Sequence, residues 1–239
     1  MTRWQEFGAN NTRLLSEHGL RAIVKVDWEN LFPRLGLINF SAQYYRGNLS
    51  YDGQTQSVSS NQIDGFFISS TSQYAGIITE LEGLYPINQK GLRLLAAIGS
   101  DVWRRNITPS TDSQDNAVSG ATEDYQMLFT RMGIETSHAH TYGNSKTRLG
   151  LKYPLKVNEQ AAGITPQLHP GRNLSLFASH RLEINDNRHI TYEIYFDSLR
   201  LSPSPAVFSH IDPSTNNPRY VHQPESHLYT IGIVVGKRF

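Results

Sequence analysis

The sequence predicts an all-β protein, a closed antiparallel β-barrel that crosses a membrane with about ten strands, eight being the alternative; such barrels have even strand numbers. Three observations carry this. Apolar and polar side chains alternate with period two along nearly the whole chain. The connections alternate between short and long. Most strand segments reach the roughly 9–11 residues a tilted strand needs to cross a bilayer. Composition narrows the reading further. The chain has 239 residues, 22 Lys and Arg against 21 Asp and Glu, a net charge of +1 and no Cys. That net balance gives no electrostatic drive toward nucleic acid or an anionic membrane surface. Without Cys there is no disulfide framework, thiolate metal site or Cys nucleophile. No apolar run approaches the ~18 residues of a membrane-spanning helix. A mean hydropathy of −0.44 suits strands that are apolar on one face only.

The strands are read in order as 2–9, 20–32, 35–51, 70–86, 91–106, 123–137, 146–155, 172–184, 188–201 and 226–239, in one domain spanning 1–239. The first is short. In the second, Ala22, Val24, Val26 and Trp28 alternate with Lys25, Asp27 and Glu29. Ile38, Phe40, Ala42 and Tyr44 alternate with Asn39, Ser41 and Gln43. Ala75, Ile77, Leu81 and Tyr85 share a face opposite Glu80 and Glu82. Segments 91–106 and 123–137 are strand-like but mixed. Leu149, Leu151 and Tyr153 alternate with Arg148 and Lys152; Leu174, Leu176, Ala178 and Leu182 oppose Ser175, Ser179, Arg181 and Glu183. Ile190, Tyr192, Ile194 and Phe196 oppose Thr191, Glu193 and Asp197, and Tyr229, Ile231, Ile233 and Val235 lead to Phe239.

The connections at 33–34, 87–90, 138–145 and 185–187 are turn-like, whereas 52–69, 107–122, 156–171 and 202–224 are long and rich in Gly, Pro, Ser and Asn. A soluble sandwich has no reason to sort its loops to opposite ends. A bacterial outer-membrane barrel has short periplasmic turns and long extracellular loops. In lipid every backbone group must be paired, so the strands close without edges, with the apolar face outward and the polar face in the lumen. Trp28, Trp103, Tyr51, Tyr85, Tyr153 and Tyr229 fall near strand ends, where amphipathic rings sit at the interface. Alternation alone does not tell inside from outside. A soluble calycin-like ligand-binding barrel therefore stays open, and the direction of Val24, Val26, Leu149, Leu151, Ile190 and Ile194 decides between the two.

The last segment, Leu228-Tyr-Thr-Ile-Gly-Ile-Val-Val-Gly-Lys-Arg-Phe239, resembles the C-terminal strand of bacterial outer-membrane barrels, with Lys237 departing from the usual apolar pattern. Tyr44-Tyr-Arg-Gly-Asn-Leu-Ser-Tyr-Asp-Gly-Gln-Thr55, Trp4-Gln-Glu-Phe7, Leu15-Ser-Glu-His-Gly19, Lys152-Tyr-Pro-Leu155 and Gln223-Pro-Glu-Ser226 are similar to segments of a family of uncharacterised proteobacterial outer-membrane proteins. The resemblance implies an outer-membrane location and a lipid environment. It also implies recognition of Tyr229, Ile231, Ile233, Val235 and Phe239 by the barrel-assembly machinery. It lends no reaction to any residue and implies no cofactor. Counting inward strands back from the C-terminus makes 2–9 the first strand, an abbreviated start without a signal peptide.

The lumen candidates are Lys25, Asp27, Glu29, Glu80, Glu82, Arg148, Lys152, Arg181, Glu183, Glu193 and Asp197. In a narrow barrel they form ion pairs that fill the interior, or they line a narrow polar pathway, since charge at membrane depth is costly unless paired or hydrated. A wide channel needs about 16–18 strands. His210 and Asp212 share one face of an extended loop segment, as in omptin-like rim hydrolases, but no opposing acid pair accompanies them; Asp112, Asp115 and Asp124 are scattered. His138 and His140 offer two imidazoles without a third metal ligand. Phosphate-loop, dinucleotide and Ser-nucleophile motifs are absent. The function expected is a non-enzymatic surface barrel whose loops, above all 201–224, bind an extracellular ligand of unknown identity or serve the envelope. A narrow transport barrel and a rim hydrolase are the alternatives.

Overall fold

The computed structural model describes residues 1–8, 11–29, 37–56, 63–87, 91–161, 166–184, 190–211 and 216–237. Strands β1 (Thr2–Phe7), β2 (Arg13–Trp28), β3 (Leu37–Gln56), β4 (Ile63–Pro86), β5 (Leu92–Ile107), β6 (Ala121–His140), β7 (Gly143–Ala161), β8 (Ser175–Ile184), β9 (Ile190–Ser202) and β10 (Glu225–Lys237) follow in chain order. Each pairs antiparallel with its sequence neighbours. The ring closes where β10 meets β1, from Thr2↔Thr230 to Phe7↔Glu225. A two-residue piece, Gly171–Arg172, adds to β9 ahead of β8.

The strands are longer than the pattern suggested at the long-loop end. β2 begins at Arg13 rather than at 20, because the chain reverses in a tight turn. There Gly8 N donates to Thr12 O at 2.8 Å, and Asn11 takes a left-handed φ of 59°. Most of the supposed loop 52–69 is strand, with β3 and β4 still paired at Gln56↔Ile63. At the other end, the expected turn 138–145 shrinks to the gap between His140 and Gly143. The loop 202–224 carries its own hairpin, Val207–Ile211 against Pro218–Val221. The strand extensions expose polar residues such as His18, Asp52 and Ser69, so their composition reads as loop although their backbones are paired.

The apolar faces point outward. Val24 is 66%, Leu149 58% and Ile233 75% exposed, and Val26, Leu151 and Ile194 are likewise on the outside. This removes the calycin-like alternative, in which they would surround an interior ligand. Trp28 and Tyr85 are exposed at the short-turn end of this belt. Trp103 and Tyr51 do not join an interfacial girdle. Val102 is exposed, so its neighbour Trp103 turns inward, where it is buried and stacks on Tyr125 with centroids 4.6 Å apart. Tyr51 is partly buried against the same interior cluster.

Four directly opposed pairs join the walls to the interior: Tyr45↔Gly76, Phe129↔Gly99, Phe177↔Gly150 and Tyr195↔Gly232. In each, the aromatic ring occupies the space that a Cβ on the glycine would need. They lie on alternate strand pairs around the ring, β3–β4, β5–β6, β7–β8 and β9–β10. A Cβ at Gly99 would sit 2.4 Å from Phe129 Cζ and 2.7 Å from the Thr79 carbonyl oxygen. Gly99→Val is therefore expected to cost about 1–3 kcal/mol through overpacking. The urea midpoint of the reconstituted barrel should fall, and Phe129→Leu in the same chain should recover part of the loss. An unchanged midpoint would show that the ring moves away freely.

Candidate functional site

The interior holds three tiers of charge. At the short-turn end, Arg181 bridges Asp27 and Glu193 at 2.7 Å each and reaches Glu29 at 3.4 Å, while Lys25 lies 3.3 Å from Asp27 and 3.6 Å from Glu193. Lys146 pairs with Glu183 at 2.7 Å and Glu29 at 3.2 Å. Arg148 pairs with Glu82 at 3.0 Å and Glu135 at 2.8 Å, and Arg93 holds the other oxygen of Glu135 at 3.0 Å. In the middle tier, Asp197 lies between Arg131 at 2.6 Å and Lys152 at 2.7 Å, and Arg131 also meets Glu80 at 3.1 Å. The Arg21 guanidinium covers the Tyr45 ring at 4.4 Å, and the Tyr45 hydroxyl donates to Asp101 at 3.0 Å. The lumen candidates named from the sequence are thus brought onto one inner surface and into mutual contact.

A cavity of about 120 Å³ runs through the short-turn and middle tiers, lined from Glu29, Arg148 and Arg181 to Tyr45, Asp101 and Asp197. A wider space of about 520 Å³ opens among Asn39, Arg93, Glu135, Asn144, Lys146 and Glu183 at the short-turn mouth.

The third tier was not anticipated. At the long-loop end Arg105, 1% exposed, donates to Glu6 at 2.9 Å, to Glu123 at 2.7 Å and twice to Glu17 at 2.7 and 2.9 Å. Ser72 Oγ donates to Glu17 at 2.6 Å, and the Tyr74 hydroxyl donates to its other oxygen. Trp4 Nε1 donates to Glu6 at 2.8 Å, and the Tyr125 hydroxyl donates to Glu123 at 3.0 Å. Trp4 and Tyr125 are wholly buried beside these groups, in one interior cluster with the equally buried Leu49, Phe129 and Leu201. Here many of the inward side chains are aromatic or apolar, contrary to the expectation of a polar lumen throughout. The strands project past the apolar belt, and there the interior supplies the packing. Aromatic rings and a satisfied polar network together fill the lumen.

Of the rim candidates, those among the described residues lie apart and are engaged elsewhere. His210 is exposed on the 207–221 hairpin, bonded to Ser209 Oγ at 3.0 Å and opposite Arg219 in register. Asp212 lies outside the described residues. Asp124 is held by Arg104 at 2.7 and 2.9 Å. Asp112 is occupied by the turn it caps. Its oxygens accept from the Asn116 amide at 3.1 and 3.3 Å and from the backbone N–H groups of Gln114 at 2.8 Å and Asn116 at 3.0 Å. The Asn116 side chain foremost, with those N–H groups, holds the Asp112 carboxyl below the usual carboxylate range. His138 and His140 are exposed at the short-turn end, His140 Nε2 lying 2.9 Å from Ser145 Oγ. No group of three His, Cys, Asp or Glu among the described residues could hold a metal ion. A carboxylate–imidazole contact that the sequence reading missed is Glu225–His227, at 2.9 Å on the outer wall. Its signal was the i, i+2 spacing, which puts both side chains on one strand face. Of the terminal set, Ile231, Ile233 and Val235 face outward, Tyr229 is partly buried, and Phe239 lies outside the described residues.

No family model matches the chain, and no curated protein matches it. Among solved structures, the chain is similar to the outer membrane protease OmpT from Escherichia coli, with a TM-score of 0.52 over 98% of this chain and 91% of that one. At 10% sequence identity, the likeness shows that the two share a barrel fold.

Proposed function

We propose that this chain is an outer-membrane barrel that does not conduct, and that its function resides in the surface carried by the long loops. The observation that carries this is the filled long-loop half of the lumen, where Arg105 and its carboxylates meet Trp4 and Tyr125 in an interior cluster that also buries Phe129 and Leu201. A transport pathway would need hydrated space through that tier. The barrel then serves as a rigid mount, and the hairpin Val207–Ile211/Pro218–Val221 presents Phe208, Ile211 and Tyr220 to solvent as a contact surface. Planar-bilayer recording of the folded protein tests this directly. We expect no stepwise conductance, and reproducible channel steps would transfer support to a narrow transport barrel.

The likeness to a protease favours one second reading, a rim hydrolase. It rests on His210 and Asp212. A mixed fluorogenic peptide library offered to the folded barrel should remain intact; hydrolysis that His210→Ala abolishes would establish the hydrolase instead.

A further inference from the structure

The outer wall carries a collar of cations at the long-loop edge of its apolar belt. Arg46 is the next outward residue past exposed Tyr44, Arg104 follows exposed Val102, Lys156 follows exposed Leu155, and Arg172 precedes exposed Leu174. Arg200 stands opposite His227, and Arg3 stands opposite Tyr229. All six cations are exposed. The acids on this edge are already engaged, Asp124 by Arg104 and Glu225 by His227. Arg3, Arg46, Lys156, Arg172 and Arg200 form no ion pair with a carboxylate among the described residues; Arg172 is steadied by the Leu155 carbonyl at 2.7 Å.

We propose that this collar binds the phosphate groups of anionic lipid headgroups in the leaflet at the long-loop end. Two arguments favour that occupant. The cations stand on alternate strands, β1, β3, β5, β7 and β9, with Arg172 between the last two, just beyond lipid-facing side chains, the depth at which a bilayer carries its phosphates and attracts basic residues. They are also spread along the belt edge, mostly two strands apart, at about 4.8 Å per strand. That arrangement meets a row of headgroups, whereas one free phosphate would need converging donors. Lys156, Arg172 and Arg200, on neighbouring strands, form its densest sector.

The test uses the folded full chain in phosphatidylcholine vesicles doped with spin-labelled phosphatidic acid or spin-labelled phosphatidylcholine. The wild type should prefer phosphatidic acid by about fivefold or more at low salt. That preference should shrink as salt rises. In the Arg3→Gln, Lys156→Gln, Arg200→Gln triple variant it should fall to near one, while heat-modifiable gel mobility is retained. Should the triple variant not fold, Arg46→Gln with Arg200→Gln is expected to lower the preference partway. No preference in the wild type, or an undiminished one in folded variants, overturns the proposal. Loss of the preference on adding millimolar inorganic phosphate, at constant ionic strength, would also overturn it by assigning the site to the free ion.

Discussion

Arg105→Leu is expected to destabilise the folded barrel by about 3–5 kcal/mol, the usual consequence of removing one partner from a buried ionic network. The guanidinium is 1% exposed and donates to Glu6, Glu17 and Glu123. Without it three carboxylates would share a nearly water-free pocket, where like charges repel and desolvation is uncompensated. Such a pocket must take up protons or admit water, and either change loosens the packing around Trp4 and Tyr125. Urea unfolding in lipid vesicles, followed by heat-modifiable mobility, measures the effect. Adding Glu17→Gln to the variant should restore part of the loss. An unchanged midpoint would mean that the network contributes nothing to the fold.

The second large effect belongs to the outer wall. Leu149→Arg places a cation on the outward apolar side of β7, opposite Ile134 on β6 and Ala178 on β8. A charge there costs about 2–4 kcal/mol at the bilayer midplane and roughly 0–1 near the interface. Gln160→Arg, on the same strand past the belt, should therefore be nearly neutral. The contrast between the two is the prediction, read from urea midpoints in vesicles. Equal costs would remove the lipid from the outer face.

Much of this architecture was legible because a strand repeats every two residues, so one correct face fixes the rest. The runs from Ala22 to Trp28 and from Ile190 to Phe196 gave the outward face, and their polar neighbours gave the lower charge tiers. The upper tier stayed hidden because the pattern inverts where strands leave the belt. On β6, Met132 and Ile134 are exposed on the outer wall, but Tyr125, Met127 and Phe129 are buried inside, while Asp124 and Gln126 face out. A reader who equates apolar with outward sees only a mixed segment there, and the same inversion lengthens β2 back to Arg13. The members of the Arg105 network lie at 6, 17, 105 and 123, on four strands that only barrel closure brings together. The glycine–aromatic pairs likewise need the register before Gly99 can be matched to Phe129. The collar is a third such case, since each cation looks ordinary on its own strand.

The account turns on which face of the wall meets lipid. The chain lacks Cys, so single cysteines can be placed without background. Replacing Tyr192, Glu193, Ile194, Tyr195, Phe196 and Asp197 of β9 one at a time, and labelling each with an environment-sensitive fluorophore in vesicles, reads the two faces directly. Quenching by nitroxides on lipid acyl chains should be strong at 192, 194 and 196 and weak at 193, 195 and 197. The reverse alternation, or no quenching at any position, would contradict the barrel described here.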